Sequence, residues 1–198
     1  IVTHYTATVE LASDKFAHGQ HSVHIKIPDH GNGDPDGTAG YIAETKTFPA
    51  AKNSFWGRMM VYFHPATGLP EQHWANVQAS GTKNDPGYDL LRVGGGNQAP
   101  GIMNTNQFPP DSFGYSATQV IPVDKWSCWE WQMDGENPQN TNVHFFIDET
   151  EVSDVAVVNG HAVRGDNQKF VAPQFQKVEL GFQFWHDALQ RGQPGLHQ

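Results

Sequence analysis

An all-β fold, an antiparallel β-sandwich of jelly-roll type, follows from three features of this 198-residue sequence. Segment after segment alternates apolar and polar side chains, the two-residue period of a half-buried strand. Twenty glycines and 13 prolines punctuate those segments, as short strands joined by turns require. No stretch carries the 3.6-residue period of an amphipathic helix, and no repeat or linker divides the chain. The expectation is one domain over residues 1–198 with about ten or eleven strands.

The chain opens with candidate strands at 6–11 and 22–27, joined as a hairpin across a turn-rich connection. Residues 29–37 gather carboxylates, an amide and glycines without EF-hand spacing, the composition of a solvated turn. A strand over 41–48 is closed by Pro49. Three segments then form the centre of the sheet. Residues 54–63 put Phe55, Gly57, Met59, Val61 and Phe63 on one face, with Trp56, Arg58, Met60 and Tyr62 on the other. Residues 73–80 turn Ala75, Val77 and Ala79 inward and Trp74, Asn76 and Gln78 outward. Residues 88–94 bury Leu91 and Val93 and present Tyr88 and Arg92. Side by side, the outward faces predict one floor of aromatic, amide and guanidinium groups, suited to a polar, ring-shaped ligand such as a sugar.

Gly94-Gly95-Gly96 is followed by no G-K-[ST] and no helix, so a phosphate loop is excluded. Glycines there predict a backbone bend or the close approach of a ligand. Residues 101–119, polar and interrupted by Pro109-Pro110, predict a long loop along one rim. Residues 125–133 alternate Trp129, Trp131 and Met133 inward with Cys128, Glu130 and Gln132 outward. Residues 142–148 bury Val143, Phe145 and Ile147 and expose His144 and Phe146. After a strand at 151–158, residues 176–185 bury Val178, Leu180, Phe182 and Phe184 and expose Glu179, Gly181, Gln183 and Trp185.

The net charge of −9 opposes nucleic-acid binding, which needs a broad basic surface. It permits an anionic polysaccharide, because a few cations in a cleft set the local potential. No apolar run approaches the length of a membrane span, and a soluble monomer is expected. The one cysteine, Cys128, excludes an intrachain disulfide. The 11 histidines show no H-x-H, HExxH or facial-triad spacing, so no metal is required.

Cleaving a uronate polymer by β-elimination needs the carboxylate next to C5 neutralised, a base at C5 and an acid at the departing oxygen. Arg92 with Asn76 and Gln78 suits the first task. His73 or His144 suits the base, and Tyr88 the acid or both. Trp56, Trp74, Phe146 and Trp185 are suited to stacking on sugar faces, with Arg58, Asn76, Glu130 and Gln183 orienting hydroxyls. Two alternatives use the same residues: a non-catalytic carbohydrate-binding module, and a glycoside hydrolase working through Glu130 and Glu179. Against any of these roles, Arg58 and Arg92 also suit simple cross-strand pairing with Glu130 or Glu179.

The succession Ala17-His-Gly, Phe55-x-x-Arg58, His73 before an apolar strand, Leu91-Arg-Val-Gly-Gly95, Ile121-Pro-x-x-x-Trp126, Cys128-Trp-Glu130 and Leu180-Gly-Phe182 resembles the fungal cellulose-induced secreted protein family and its bacterial relatives. That resemblance spans most of the chain. It implies a concanavalin-like jelly roll whose concave sheet is similar to the clefts of glucuronan and alginate lyases, in a secreted carbohydrate-active protein whose signal peptide has been removed. Leu90 stands where the fungal proteins carry a cleft histidine, and Trp185 where they carry a tyrosine. The family's structural calcium is held partly by acidic residues near the chain ends. Residues 191–198 lack the usual Asp-Asp-bearing last strand, so that strand is expected to be missing or clipped and the metal ligands are unknown.

Overall fold

The computed structural model describes residues 1–4, 7–27, 38–65, 68–70, 73–82, 89–96, 99–108 and 112–184. Two antiparallel sheets carry the fold. The first runs in the order β1 (Val2–His4), β4 (Ala39–Glu44), β15 (Gln174–Phe184), β6 (Trp74–Thr82), β7 (Leu90–Gly95), β8 (Ile102–Phe108), β9 (Ser112–Val120). The second runs β14 (His161–Ala162), β13 (Val157–Val158), β11 (Asn142–Ile147), β10 (Trp126–Asp134), β5 (Ser54–Tyr62), with β12 (Thr150–Glu151) pairing β11. A separate hairpin of β2 (Thr8–Ala12) and β3 (Ser22–Lys26) leans on β4, where Ile25 and Val9 approach Gly40. This is the jelly-roll sandwich that the alternation predicts.

Strand parity places most of the core. Val77, Ala79, Leu91 and Val93 from the first sheet meet Trp129, Trp131, Met133, Val143 and Phe145 from the second, all at 1% exposure or less. Phe55, Met59, Val61, Phe63, Leu180 and Phe184 pack against that cluster, as their alternation requires. Burying side chains of this size stabilises by about 1.5–3 kcal/mol each. Both sheets seat a tryptophan over a glycine directly opposite in register. Trp131 faces Gly57 and Trp74 faces Gly95. A methyl group on either glycine would stand only 2.2 Å or 2.0 Å from the indole.

The expected rim loop at 101–119 is instead a pair of full strands, β8 and β9. Its inward positions, Thr105 and Gln107, are polar, which hides the alternation from a hydrophobicity reading. Both are completely buried. Thr105 Oγ1 donates to the Val155 carbonyl, and Gln107 both donates to the Val171 carbonyl and accepts from the Val171 N–H. These side chains satisfy the backbone of a crossing segment that would otherwise carry unpaired polar groups, each costing about 1–3 kcal/mol. The strand expected over 151–158 is likewise broken into β12, a 3₁₀ turn at Ser153–Val155, and β13.

Candidate functional site

The outer face of the first sheet is a polar floor. Glu179 on β15 stands opposite Gln78 on β6, Gln78 opposite Arg92 on β7, and Arg92 opposite Asn106 on β8. Each inward neighbour of these residues belongs to the core, so the period-2 rule turns all four outward together. Tyr41 and Ala43 of β4, Gly94, and Asn104 occupy adjoining outward positions. Asn76, Gln78, Arg92, Glu179 and Gln183 therefore gather in one region, as expected from the sequence.

Glu179 organises the row. Its Oε2 accepts from Gln78 Nε2 at 2.8 Å, and its Oε1 accepts from Lys177 Nζ at 2.8 Å. The side chain of Glu179 is 4% exposed against 40% for Lys177. A carboxylate so buried is retained only when paired, and both oxygens are engaged, so Glu179 orients Gln78 rather than acting as a free base. At this end the face opens into a cavity of about 500 Å³ lined by Gln78, Ser80, Asp89, Leu90 and Lys177. Elsewhere the floor is covered: Arg92 and Asn106 are 8% exposed, Asn104 1% and Tyr41 2%. The expected open trough is thus a local cavity beside Arg92. Both side-chain atoms of Asn104, and the Oδ1 atoms of Asn76 and Asn106, have no hydrogen-bond partner among the described residues.

Asn76 sits where β6 slips against both neighbours. One extra residue of β6 lies between Ala75 and Val77 relative to β7, and β15 makes a matching irregularity between Leu180 and Gln183. Asn76 Nδ2 donates to the Gly181 carbonyl at 2.9 Å and holds the bulge closed. The bulge reverses parity before it, so Trp74 is not on the outward face. It is completely buried, stacked on Phe182 with ring centroids 5.6 Å apart. Gly95 accordingly makes room for a core indole, not for a ligand.

Arg58, Trp56, Glu130, His144 and Phe146 project from the second sheet, on the opposite outer face of the sandwich. Strand adjacency in sequence does not carry across the sandwich: β5 pairs β10, whereas β6 pairs β7 and β15. Arg58 stands opposite Glu130, with Nε 3.6 Å from Oε1, and donates to Cys128 Sγ at 3.1 Å. Those contacts, the sulfur first, raise the guanidinium above its ordinary pKa. His144 Nδ1 lies 2.6 Å from Glu151 Oε1. Cross-strand pairing is therefore the role seen for Arg58, and His144 is removed from the Arg92 face. Glu130 and Glu179 are separated by the core, about 10 Å of it between the sheets, and point away from each other. They do not flank one glycosidic bond, which overturns the hydrolase arrangement built on that pair. His73, half-buried, immediately precedes β6 and stands five positions before Gln78, roughly 16 Å of extended chain. Tyr88, Trp185, the 29–37 segment and the tail at 191–198 lie outside the described residues. Among the described residues no group of three or more His, Cys, Asp or Glu side chains is placed to hold a metal ion.

Alternation and residue type alone do not single out Lys177, Asp89 or Tyr41. Lys177 was visible as the outward neighbour of Glu179 at the two-residue spacing. Tyr41 donates to Gln183 Oε1 at 3.1 Å. Burial pushes its phenol far above the ordinary value of 10.0, against the lowering influence of nearby Arg92 and with a further push from Glu179. The folded state therefore keeps a proton that the unfolded chain releases above about pH 10, so Tyr41 stabilises below that pH and the contribution is lost above it. In alkaline denaturation, Tyr41→Phe is expected to flatten the fall in stability by up to one proton's slope, about 1.4 kcal/mol per pH unit. An unchanged slope would contradict this placement.

Fold and face together define a jelly-roll β-sandwich with a polar, amide-rich outer sheet. Among solved structures, one that shares this fold is the crystal structure of endo-beta-1,4-glucuronan lyase from the fungus Trichoderma reesei. It matches with a TM-score of 0.53 and 12% identity, over 92% of this chain and 79% of that one. At that identity the likeness is one of fold. No family model matches the chain, and neither does any curated protein.

Proposed function

We propose that the cavity beside Arg92 binds a uronic-acid polysaccharide and that the protein is a secreted polysaccharide lyase cleaving it by β-elimination. The observation that carries the reading is a cavity of about 500 Å³ lined by Gln78 and Lys177, with Gln78 oriented by buried Glu179 and Arg92 opposite Gln78 on the neighbouring strand. Arg92 answers the carboxylate of a uronate, with Lys177, itself paired to Glu179, beside it, and the second N–H of the Gln78 amide donates to the enediolate that develops when C5 loses its proton. The base takes the C5 proton, the electron pair forms the C4–C5 double bond, the C4–O bond breaks, and the departing oxygen receives a proton. We assign the proton transfer in and out to Asp89, which lines the cavity, together with Tyr88, the residue before it in the sequence. The glucuronan lyase sharing the fold, and the resemblance to the cellulose-induced secreted proteins, are in keeping with this class of substrate.

A second reading has one observation in its favour. Leu90, on the outward side of β7 two residues from Arg92, lines the cavity with an apolar side chain, where the resembling fungal proteins carry histidine. A binding module without cleavage fits that change. Incubation with glucuronan, alginate and pectate separates the two: ultraviolet absorbance from the new C4–C5 double bond is expected for one of them. Retardation in a polyuronate affinity gel with no absorbance and no new ends would establish the module instead.

A further inference from the structure

The opposite outer face carries a second feature that the Arg92 cavity does not use. Trp56, on edge strand β5, is 62% exposed. Phe146 braces it from β11, with ring centroids 6.1 Å apart and planes 28° from parallel. Beside it a cavity of about 520 Å³ enters the edge of the sandwich, walled by Phe48, Phe55, Trp131 and Leu180 with Glu44 and Arg58 at its rim. Trp131 is 1% exposed, and its Nε1 has no hydrogen-bond partner among the described residues.

We propose that this cavity, with Trp56 at its mouth, is a second carbohydrate-binding site, separate from the Arg92 face, that takes a neutral pyranose ring. An exposed indole offers a flat apolar face to the C–H groups of a sugar. The Phe146 contact fixes that face in advance, so less side-chain freedom is lost on binding. Along the outer side of β5 the backbone polar groups meet no further strand among the described residues, leaving them for hydroxyls. Charge selects the neutral sugar. Arg58 is already engaged by Glu130 and Cys128, and Glu44 lines the cavity, so a uronate would meet uncompensated negative charge.

Affinity gels containing hydroxyethyl cellulose, xylan or galactomannan test the proposal, using the whole chain as wild type, Trp56→Ala and Arg92→Ala. Retardation by one neutral glycan is expected, weakened about tenfold in Trp56→Ala, the size of one aromatic stacking contact, and retained in Arg92→Ala. Tryptophan fluorescence should shift on adding the same glycan to wild type and not to Trp56→Ala. Because Trp56 is mostly exposed, Trp56→Ala is expected to melt close to wild type, which separates lost binding from lost fold. No retardation by any of the three glycans overturns the site. So does equal retardation of wild type and Trp56→Ala, or loss in Arg92→Ala with retention in Trp56→Ala.

Discussion

Replacing Arg92 with alanine is expected to abolish most formation of unsaturated product on the responsive polyuronate, by about 100- to 1,000-fold in kcat, the range for removing one donor aimed at a developing oxyanion. Arg92 is 8% exposed and lies next in register to Gln78, so its charge acts in a poorly hydrated setting where it counts for more than in water. Arg92→Lys keeps the charge and loses the planar fork, and a smaller loss is expected, about tenfold. Lys177→Ala removes the more exposed cation and is expected to raise KM more than it lowers kcat. Glu179 is buried and negative, and removing Arg92 takes one cation from its surroundings, so each variant needs a melting curve beside its rate. Unchanged product formation in a folded Arg92→Ala variant would sink the proposed chemistry.

That role for Arg92 is the one the sequence alone supports; the company it keeps on its face is not, and the difference has a physical origin. Alternation correctly predicts which residues of β5, β7, β10, β11 and β15 face inward, because a strand's parity is a local property. It correctly turns Gln78, Arg92, Glu179 and Gln183 outward. It does not say which strands are neighbours. Arg58 and Arg92 look equivalent along the chain, yet β5 closes one edge of the second sheet while β7 lies inside the first. Nor does it anticipate a bulge, whose cause is a backbone irregularity shared among three strands rather than a residue signature. Thr105 and Gln107 failed the hydrophobicity test for a different reason: they are buried through hydrogen bonds to Val155 and Val171, partners that sequence spacing does not reveal.

Trp74 turns the bulge into a measurement. As an outward sugar platform, its loss would weaken glycan binding and leave stability nearly untouched. Completely buried against Phe182 and over Gly95, it is expected to cost about 3–5 kcal/mol when cut to alanine, the range for removing a large core aromatic. For a chain of this size that lowers the melting temperature by roughly 10 °C or more. Gly95→Ala supplies the second arm, since its methyl would stand 2.0 Å from the indole in the wild type and must displace backbone or ring. In the Trp74→Ala background the clash is gone, so the two substitutions are expected to cost less together than the sum of their separate effects, with a coupling of about 1 kcal/mol or more. Strict additivity, or a Trp74→Ala variant that melts like wild type while losing its glycan, would put the indole back on the surface and remove the bulge that brings Asn76 to Gly181.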